Sequence, residues 1–99
     1  MEITIQYFDG CANWRAAHAA VVKAAPEALV TLQLVETDDD ARRVGFRGSP
    51  TILVDGVDPW ADPEAPVGIA CRMFRTERGL AGLPSETQLL DVLRPRKAG

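Results

Sequence analysis

The stretch VGFRGSPTILVDG, residues 44–56, decides which fold the sequence predicts. Gly45 is where a short preceding helix is expected to stop, because glycine readily adopts the conformation that ends a helix. SPTILVD, residues 49–55, is typical of a strand that begins at a proline, where the missing N–H does no harm. We therefore expect a helix followed directly by a buried strand.

The chain before this stretch alternates between strands and helices. Residues 2–8 show the period-two apolar pattern of a strand. Residues 13–25 are alanine-rich and predict a helix that ends at Pro26. Residues 29–36, LVTLQLVE, are rich in Leu and Val, as in a strand that is covered on both faces. Thr37 is a suitable cap for the next helix, and three aspartates follow it.

The chain after this stretch adds a loop, a strand and a helix. Residues 57–69 carry three prolines and predict a long loop. Residues 70–76, ACRMFRT, predict a fourth strand that can pair antiparallel with the third. Ser85 and Gln88 form a capping box for a last helix, which Pro95 closes. The order β-α-β-α-β-β-α predicts an α/β fold with one mixed four-stranded sheet and three helices.

This order resembles the thioredoxin-like superfamily. Two motifs carry the resemblance: a cysteine at the first strand-to-helix turn in FDGCANW, residues 8–14, and the Gly-x-Pro-Thr sequence at 48–51 before a hydrophobic strand. ACRMFRTERGLAGLPS, residues 70–85, also looks like the equivalent part of small actinobacterial thioredoxin-like proteins. The resemblance implies a single thioredoxin-like domain over residues 1–95, followed by a flexible basic tail at 96–99.

The resemblance also implies where a substrate would bind. It implies a cis Ser49-Pro50 bond, with Pro50 set against Cys11 and the Ser49 backbone open to pair with an extended peptide. The residues expected to contact the substrate are Gly10, Trp14, Ser49, Pro50 and Thr51.

The sequence departs from the family at the catalytic motif. A dithiol member has C-x-x-C, whereas this chain has Cys11-Ala-Asn-Trp14, and Trp14 cannot resolve a mixed disulfide. Cys11 is expected to be exposed at a helix N-terminus, where unpaired N–H groups favour the thiolate. We therefore predict a thiol–disulfide oxidoreductase or thiol transferase that uses Cys11 and an external low-molecular-weight thiol. The alternative that Cys11 is an inert, buried cysteine stays open.

Cys71 is a possible second thiol. If residues 70–76 form a strand, Cys71 lies about 13 Å from the active-site end, at ~3.3 Å per residue. A disulfide requires Cα atoms within about 7 Å. The expected role of Cys71 is therefore a buried core residue, with an internal pair or an intermolecular thiol as alternatives.

Two other function classes stay open beside the enzyme. One is a non-catalytic module that binds a protein or ligand in the same groove. The other is capture of a thiophilic metal or organometal by Cys11. One histidine and two cysteines cannot complete a tetrahedral zinc site, so no resident metal or tightly bound cofactor is expected.

Composition limits the partners. The chain has 99 residues, 46% apolar and 25% charged, which is ordinary for one globular domain. The net charge of −3 gives no general attraction to nucleic acid or to anionic membranes. Without a targeting signal or a long apolar run, and with only two cysteines, a cytoplasmic protein is expected. A thiol or disulfide is the expected partner, and the chain is expected to be a monomer or weak dimer.

Overall fold

The computed structural model of the chain describes residues 1–93, and it shows a mixed α/β architecture with three helices. Among these residues, no helix combines the length and the apolar character needed to cross a membrane. The elements in chain order are β1 (Glu2–Tyr7), α1 (Asn13–Ala24), β2 (Leu29–Leu34), α2 (Asp38–Val44), β3 (Thr51–Val54), β4 (Phe74–Thr76), β5 (Gly79–Ala81) and α3 (Glu86–Leu93).

The main sheet has three strands in the order β2-β1-β3. Strand β1 lies at the centre, parallel to β2 and antiparallel to β3, with Ile5 opposite Leu32 on one side and Ile52 on the other. The parallel pair follows from the helix between β1 and β2, because a helical crossover returns the chain in the same direction.

The predicted fourth strand is wrong in extent and pairing. Only Phe74–Thr76 of residues 70–76 is a strand, and it pairs antiparallel with Gly79–Ala81 in a separate two-stranded sheet. Cys71 instead makes a single parallel bridge with Ser49. The four-stranded sheet is therefore replaced by a three-stranded sheet and a hairpin.

The principal core lies between the sheet and helices α1 and α3. Alternate residues of β1 and β3 point into it, as the period-two pattern requires. Its buried members are Ile3, Ile5, Val21, Ala25, Ile52, Leu89 and Leu93. A second, smaller cluster joins α2 to the residues on either side of it and consists of Val35, Ala41 and Phe46.

Strand β2 is not covered on both faces, contrary to its sequence pattern. It is an edge strand, and Leu29, Leu32 and Leu34 are exposed. A run of Leu and Val predicts burial only if other elements are available to cover it. Helix α2 has seven residues, and the cluster it shares with this part of the chain begins at Val35, after β2 ends.

The predicted helix ends are confirmed where the structure describes them. The Thr37 hydroxyl accepts the Asp40 N–H at 3.0 Å, and Gly45 ends α2 with a left-handed φ of 69°. Before α3, the Gln88 N–H donates to the Ser85 hydroxyl and the Ser85 N–H donates to the Gln88 side chain, which is a capping box. The predicted stop at Pro95 and the tail at 96–99 lie outside the described residues.

Candidate functional site

Cys11 lies in the turn between β1 and α1. Its N–H donates to the Phe8 carbonyl at 3.2 Å, which closes the turn. Its sulfur donates to the Ser49 carbonyl at 3.5 Å, and the residue is only 1% exposed. The expectation of an exposed sulfur is therefore wrong, because the chain around Ser49 and Cys71 lies against the turn.

The backbone of Ser49 is paired with residues 70–72 of the same chain. The Ser49 N–H donates to the Ala70 carbonyl at 2.7 Å, and the Ser49 carbonyl accepts the Arg72 N–H at 2.8 Å. The resemblance implies that these groups are open to an extended peptide. That implication does not hold in this structure, where residues 70–72 occupy both groups. The Ser49-Pro50 bond is cis, which is the geometry that the resemblance implies.

The two cysteines meet beside Ser49. Cys11 contacts the Ser49 carbonyl, and Cys71 is the bridge partner of Ser49. A hydrogen bond with Cys11, then burial and the charge of Cys11, raise the pKa of the Cys71 thiol. Both cysteines are free thiols. Cys11 thus has a second thiol in contact, although Trp14 fills the usual position of one.

Two expectations about Cys71 are wrong: that it lies far from Cys11, and that it is buried in the core. The 13 Å distance assumes an extended antiparallel strand from residue 70 onward. At Cys71 the chain instead runs parallel to the residues around Ser49, and it enters the hairpin only at Phe74. Cys71 is consequently exposed, while Cys11 is buried.

Arg72 fixes the position of residues 70–72. Its guanidinium donates to the Asp58 carboxylate at 2.6 Å and to the Trp60 carbonyl, and it lies 4.5 Å from the centre of the Phe74 ring. The side chains of Arg72 and Asp58 are only 9% and 18% exposed. An ion pair this sheltered is costly to break from one side, because the remaining charge would be left without a partner.

The proline-rich loop at 57–69 is held by a second arginine. The Arg47 guanidinium donates to the carbonyls of Asp62, Pro63 and Ala65 at 3.2, 2.7 and 2.6 Å. Arg47 is therefore committed to the loop.

Trp60 in this loop packs against the principal core and meets Phe74 edge to face, with the ring centres 5.9 Å apart. Trp60 therefore helps to cover the principal core.

A cleft of about 680 Å³ lies between this loop and the hairpin. Cys71 is the only cysteine that lines it, and Ser49 and Cys11 do not. The lining is mixed: three arginines (Arg47, Arg72 and Arg75) and two aspartates lie beside apolar side chains that include Trp60, Met73, Phe74 and Leu80. A volume of this size is typical of small-molecule sites.

Trp14 and Gly10 do not line this cleft. The Trp14 ring stacks on Tyr7 with the ring centres 4.1 Å apart, and the Arg15 guanidinium lies 5.0 Å from its centre. Gly10 is exposed, and a Cβ there would lie 2.8 Å from the Phe8 ring. Both residues therefore shape the turn that carries Cys11.

Ser49, Pro50 and Thr51 are all buried. The Thr51 hydroxyl donates to the Gly48 carbonyl at 2.6 Å. The same hydroxyl accepts a hydrogen bond from the Arg72 guanidinium at 3.5 Å. The Ser49 hydroxyl is buried and has no hydrogen-bond partner within residues 1–93. A buried hydroxyl without a partner costs free energy, and so this group is expected to lower the stability of the fold.

Sequence reasoning used Gly48 as part of a motif but gave no role in the site to Gly48, Asp58 or Arg72. Gly48 has a φ of 122°, and a Cβ there would lie 2.9 Å from the Arg72 Cβ, so that only glycine allows residues 70–72 to come so close. The glycine before x-Pro-Thr was a visible signal. Its partner could not be predicted, because the contact spans a long loop.

Within the described part of the chain, no three His, Cys, Asp or Glu side chains cluster as metal ligands. Comparison with known proteins adds no assignment, since no family model, no curated protein and no solved structure matches the chain. The thioredoxin-like resemblance therefore stays a prediction from the sequence.

Proposed function

We propose that the chain is a thiol–disulfide oxidoreductase in which Cys11 and Cys71 cycle between dithiol and disulfide. One observation supports the proposal above the others: the Cys11 sulfur donates to the Ser49 carbonyl and Cys71 is the bridge partner of Ser49, so that the two thiols lie beside the same residue. Because both thiols lie beside the same residue, we expect the disulfide to form with little rearrangement of the backbone.

This proposal replaces the monothiol route that the sequence predicts. In that route an external thiol must release each product from Cys11, because Trp14 cannot. With Cys71 in contact, the resolving thiol is present in the same chain, and an external low-molecular-weight thiol is needed only to reduce the resulting disulfide.

We also infer that the architecture is a variant of the thioredoxin-like fold. The parallel β1-α1-β2 unit, the antiparallel β3 and the packing of α3 against the core beside α1 support this inference. In this variant, residues 70–72 take the place of a fourth strand. We place the protein in the cytoplasm, where thiols are normally kept reduced between turnovers.

The test is a stoichiometric oxidation of the reduced full chain with bis(2-hydroxyethyl) disulfide. We expect the chain to lose two hydrogens, to release two equivalents of 2-mercaptoethanol and to yield one peptide pair that joins Cys11 to Cys71. Glutathione should then restore both thiols. Stable separate adducts on the two cysteines, or no reaction, would contradict the proposal and favour a non-catalytic binding module.

Capture of a thiophilic metal is the second candidate, because the same contact gives Cys11 a second soft ligand. Thiolate sulfur selects soft metals such as Cu(I). Titration of the reduced chain with Cu(I) tests this candidate. Tight binding that requires both Cys11 and Cys71, without any disulfide exchange, would support it over the redox role.

A further inference from the structure

The two thiols differ in what can reach them. Cys71 is exposed and lines the 680 Å³ cleft, whereas Cys11 is 1% exposed and lines no part of it. An external molecule therefore meets the Cys71 sulfur first. Reaching Cys11 requires residues 70–72 to move away from Ser49.

Residues 70–72 are held firmly enough to make that movement costly. Two backbone hydrogen bonds join them to Ser49, and the sheltered Arg72–Asp58 pair ties them to the loop. Breaking this pair leaves a charge without its partner. Attack at Cys11 would have to include this cost. Attack at Cys71 would not, although the raised pKa of the Cys71 thiol means that only a small fraction of it is ionised at neutral pH.

We propose that Cys71 is the cysteine that reacts with the external disulfide, that Cys11 is the resolving cysteine, and that the cleft beside Cys71 receives a low-molecular-weight disulfide. This inference rests on the proposed oxidoreductase function and assigns the order of its steps. It reverses the order that the sequence suggests, in which Cys11 attacks first.

The oxidation proceeds in two balanced steps. First, the Cys71 thiolate attacks one sulfur of the substrate R–S–S–R, forming a Cys71–S–S–R bond and releasing one RS⁻. Second, the Cys11 thiolate attacks the Cys71 sulfur, forming the Cys11–Cys71 disulfide and releasing the second RS⁻. The two cysteine protons go to solvent and then to the released thiolates, so that one substrate disulfide becomes two thiols.

The same geometry orders the return reaction. An external thiolate attacks the more accessible sulfur of the Cys11–Cys71 disulfide, which belongs to Cys71. Cys11 then leaves as a thiolate beside the start of α1, where backbone N–H groups without helical partners favour negative charge. A second external thiol releases the product disulfide from Cys71.

The substrate class follows from the occupied edge of Ser49. An extended peptide needs free backbone N–H and carbonyl groups to add as a strand, and residues 70–72 already use both groups of Ser49. The cleft has the volume of a small-molecule site, with apolar walls from Trp60 and Phe74. A small disulfide therefore fits, and a peptide in strand conformation does not.

The order of attack is tested with two single-thiol variants, Cys11→Ala and Cys71→Ala. Each reduced variant is mixed with bis(2-hydroxyethyl) disulfide, and adduct formation is followed by intact mass. We expect Cys11→Ala, which keeps Cys71, to form its adduct at least ~10-fold faster than Cys71→Ala, since thiol exchange depends on access. An equal or faster rate for Cys71→Ala would overturn the proposal.

A measurement on the wild-type chain covers the case in which a variant fails to fold. The native reduced protein is treated with substoichiometric iodoacetamide, and the alkylated peptides are quantified. Predominant alkylation of Cys71 supports the assignment, and predominant alkylation of Cys11 overturns it. Both results differ from failure of the proposed function, in which the wild-type chain forms no Cys11–Cys71 disulfide at all.

The substrate class is tested by comparing a small disulfide with a disulfide carried on a peptide. A linear decapeptide that carries a 2-hydroxyethyl disulfide on a central cysteine offers the same leaving group on an extended chain. We expect the oxidation of the wild-type chain to be at least ~10-fold slower with this peptide than with bis(2-hydroxyethyl) disulfide. A faster reaction with the peptide would overturn the small-substrate assignment.

Discussion

Gly48 lies against Arg72 so closely that a single added methyl group would not fit between them. A Cβ at Gly48 would lie 2.9 Å from the Arg72 Cβ and 3.2 Å from its backbone. This approach lets residues 70–72 pair with Ser49 and brings Cys71 to Cys11. The candidate site therefore depends on a residue that carries no reactive group.

Replacing Gly48 with alanine is expected to separate the two cysteines. The methyl group should push residues 70–72 away, slow formation of the Cys11–Cys71 disulfide by about 10-fold or more, and increase alkylation of Cys11. Gly56→Ala is the matched control, because Gly56 also has a positive φ, of 85°, but has open space around its Cβ position. Equal effects of the two substitutions would mean that backbone strain, and not contact with Arg72, is responsible.

The stability of the reduced protein is expected to fall at alkaline pH because of Cys71. Contact with Cys11 raises the pKa of Cys71 above its ordinary value of 9.0, so the folded chain keeps this proton longer than the unfolded chain does. The contribution of the Cys71 thiol to the free energy of unfolding is therefore complete below about pH 9. It is lost as the pH rises through the pKa that Cys71 has in the folded chain. Urea unfolding of the reduced wild-type chain across this range measures it.

Two variants isolate this contribution from other groups that titrate at high pH. Cys71→Ala removes the titrating thiol, and Cys11→Ala removes the main cause of the shift, so both should flatten the loss of stability. In Cys11→Ala the pKa of Cys71 should also return towards its ordinary value. Identical alkaline profiles for the wild type and both variants would rule out the contact between the thiols.

Ser49→Ala is expected to stabilise the reduced protein, by about 1 kcal/mol in urea unfolding. The Ser49 hydroxyl is buried and unpaired within the described residues, and removing it removes an unsatisfied polar group. Ser85→Ala is the control, because the Ser85 hydroxyl accepts the Gln88 N–H and contacts Glu77. Losing this cap should cost about 1 kcal/mol. A loss of stability in Ser49→Ala would indicate that its hydroxyl has a partner.

Asp58→Asn is expected to loosen residues 70–72. It removes the charge that balances the largely buried Arg72, and the free energy of unfolding should fall by about 1–3 kcal/mol, with increased alkylation of Cys11. Asp39→Asn breaks the exposed Arg42–Asp39 pair and should cost less than about 0.5 kcal/mol. If the two substitutions cost the same, Arg72–Asp58 does not anchor the segment.

Local sequence signals predicted most of the elements of this fold. A period-two pattern predicted β1, an apolar run behind a proline predicted β3, and alanine content and capping residues predicted the three helices. The caps at Thr37 and Ser85 form as expected. These features depend on neighbours within four residues, so a single sequence contains them. The same reasoning predicted strand β2 but misjudged its exposure, because exposure depends on which distant elements are left to cover a strand.

What the sequence determined by itself is therefore the order of the elements from β1 to β3, the last helix α3, and the position of Cys11 at the first strand-to-helix turn. The tertiary structure alone decided that Cys11 is buried, that Cys71 is exposed, and that the two thiols meet. The physical reason is the length of chain between them. Its path depends on the Arg72–Asp58 pair and on the close contact between Gly48 and Arg72, and both interactions join residues that lie far apart in the sequence.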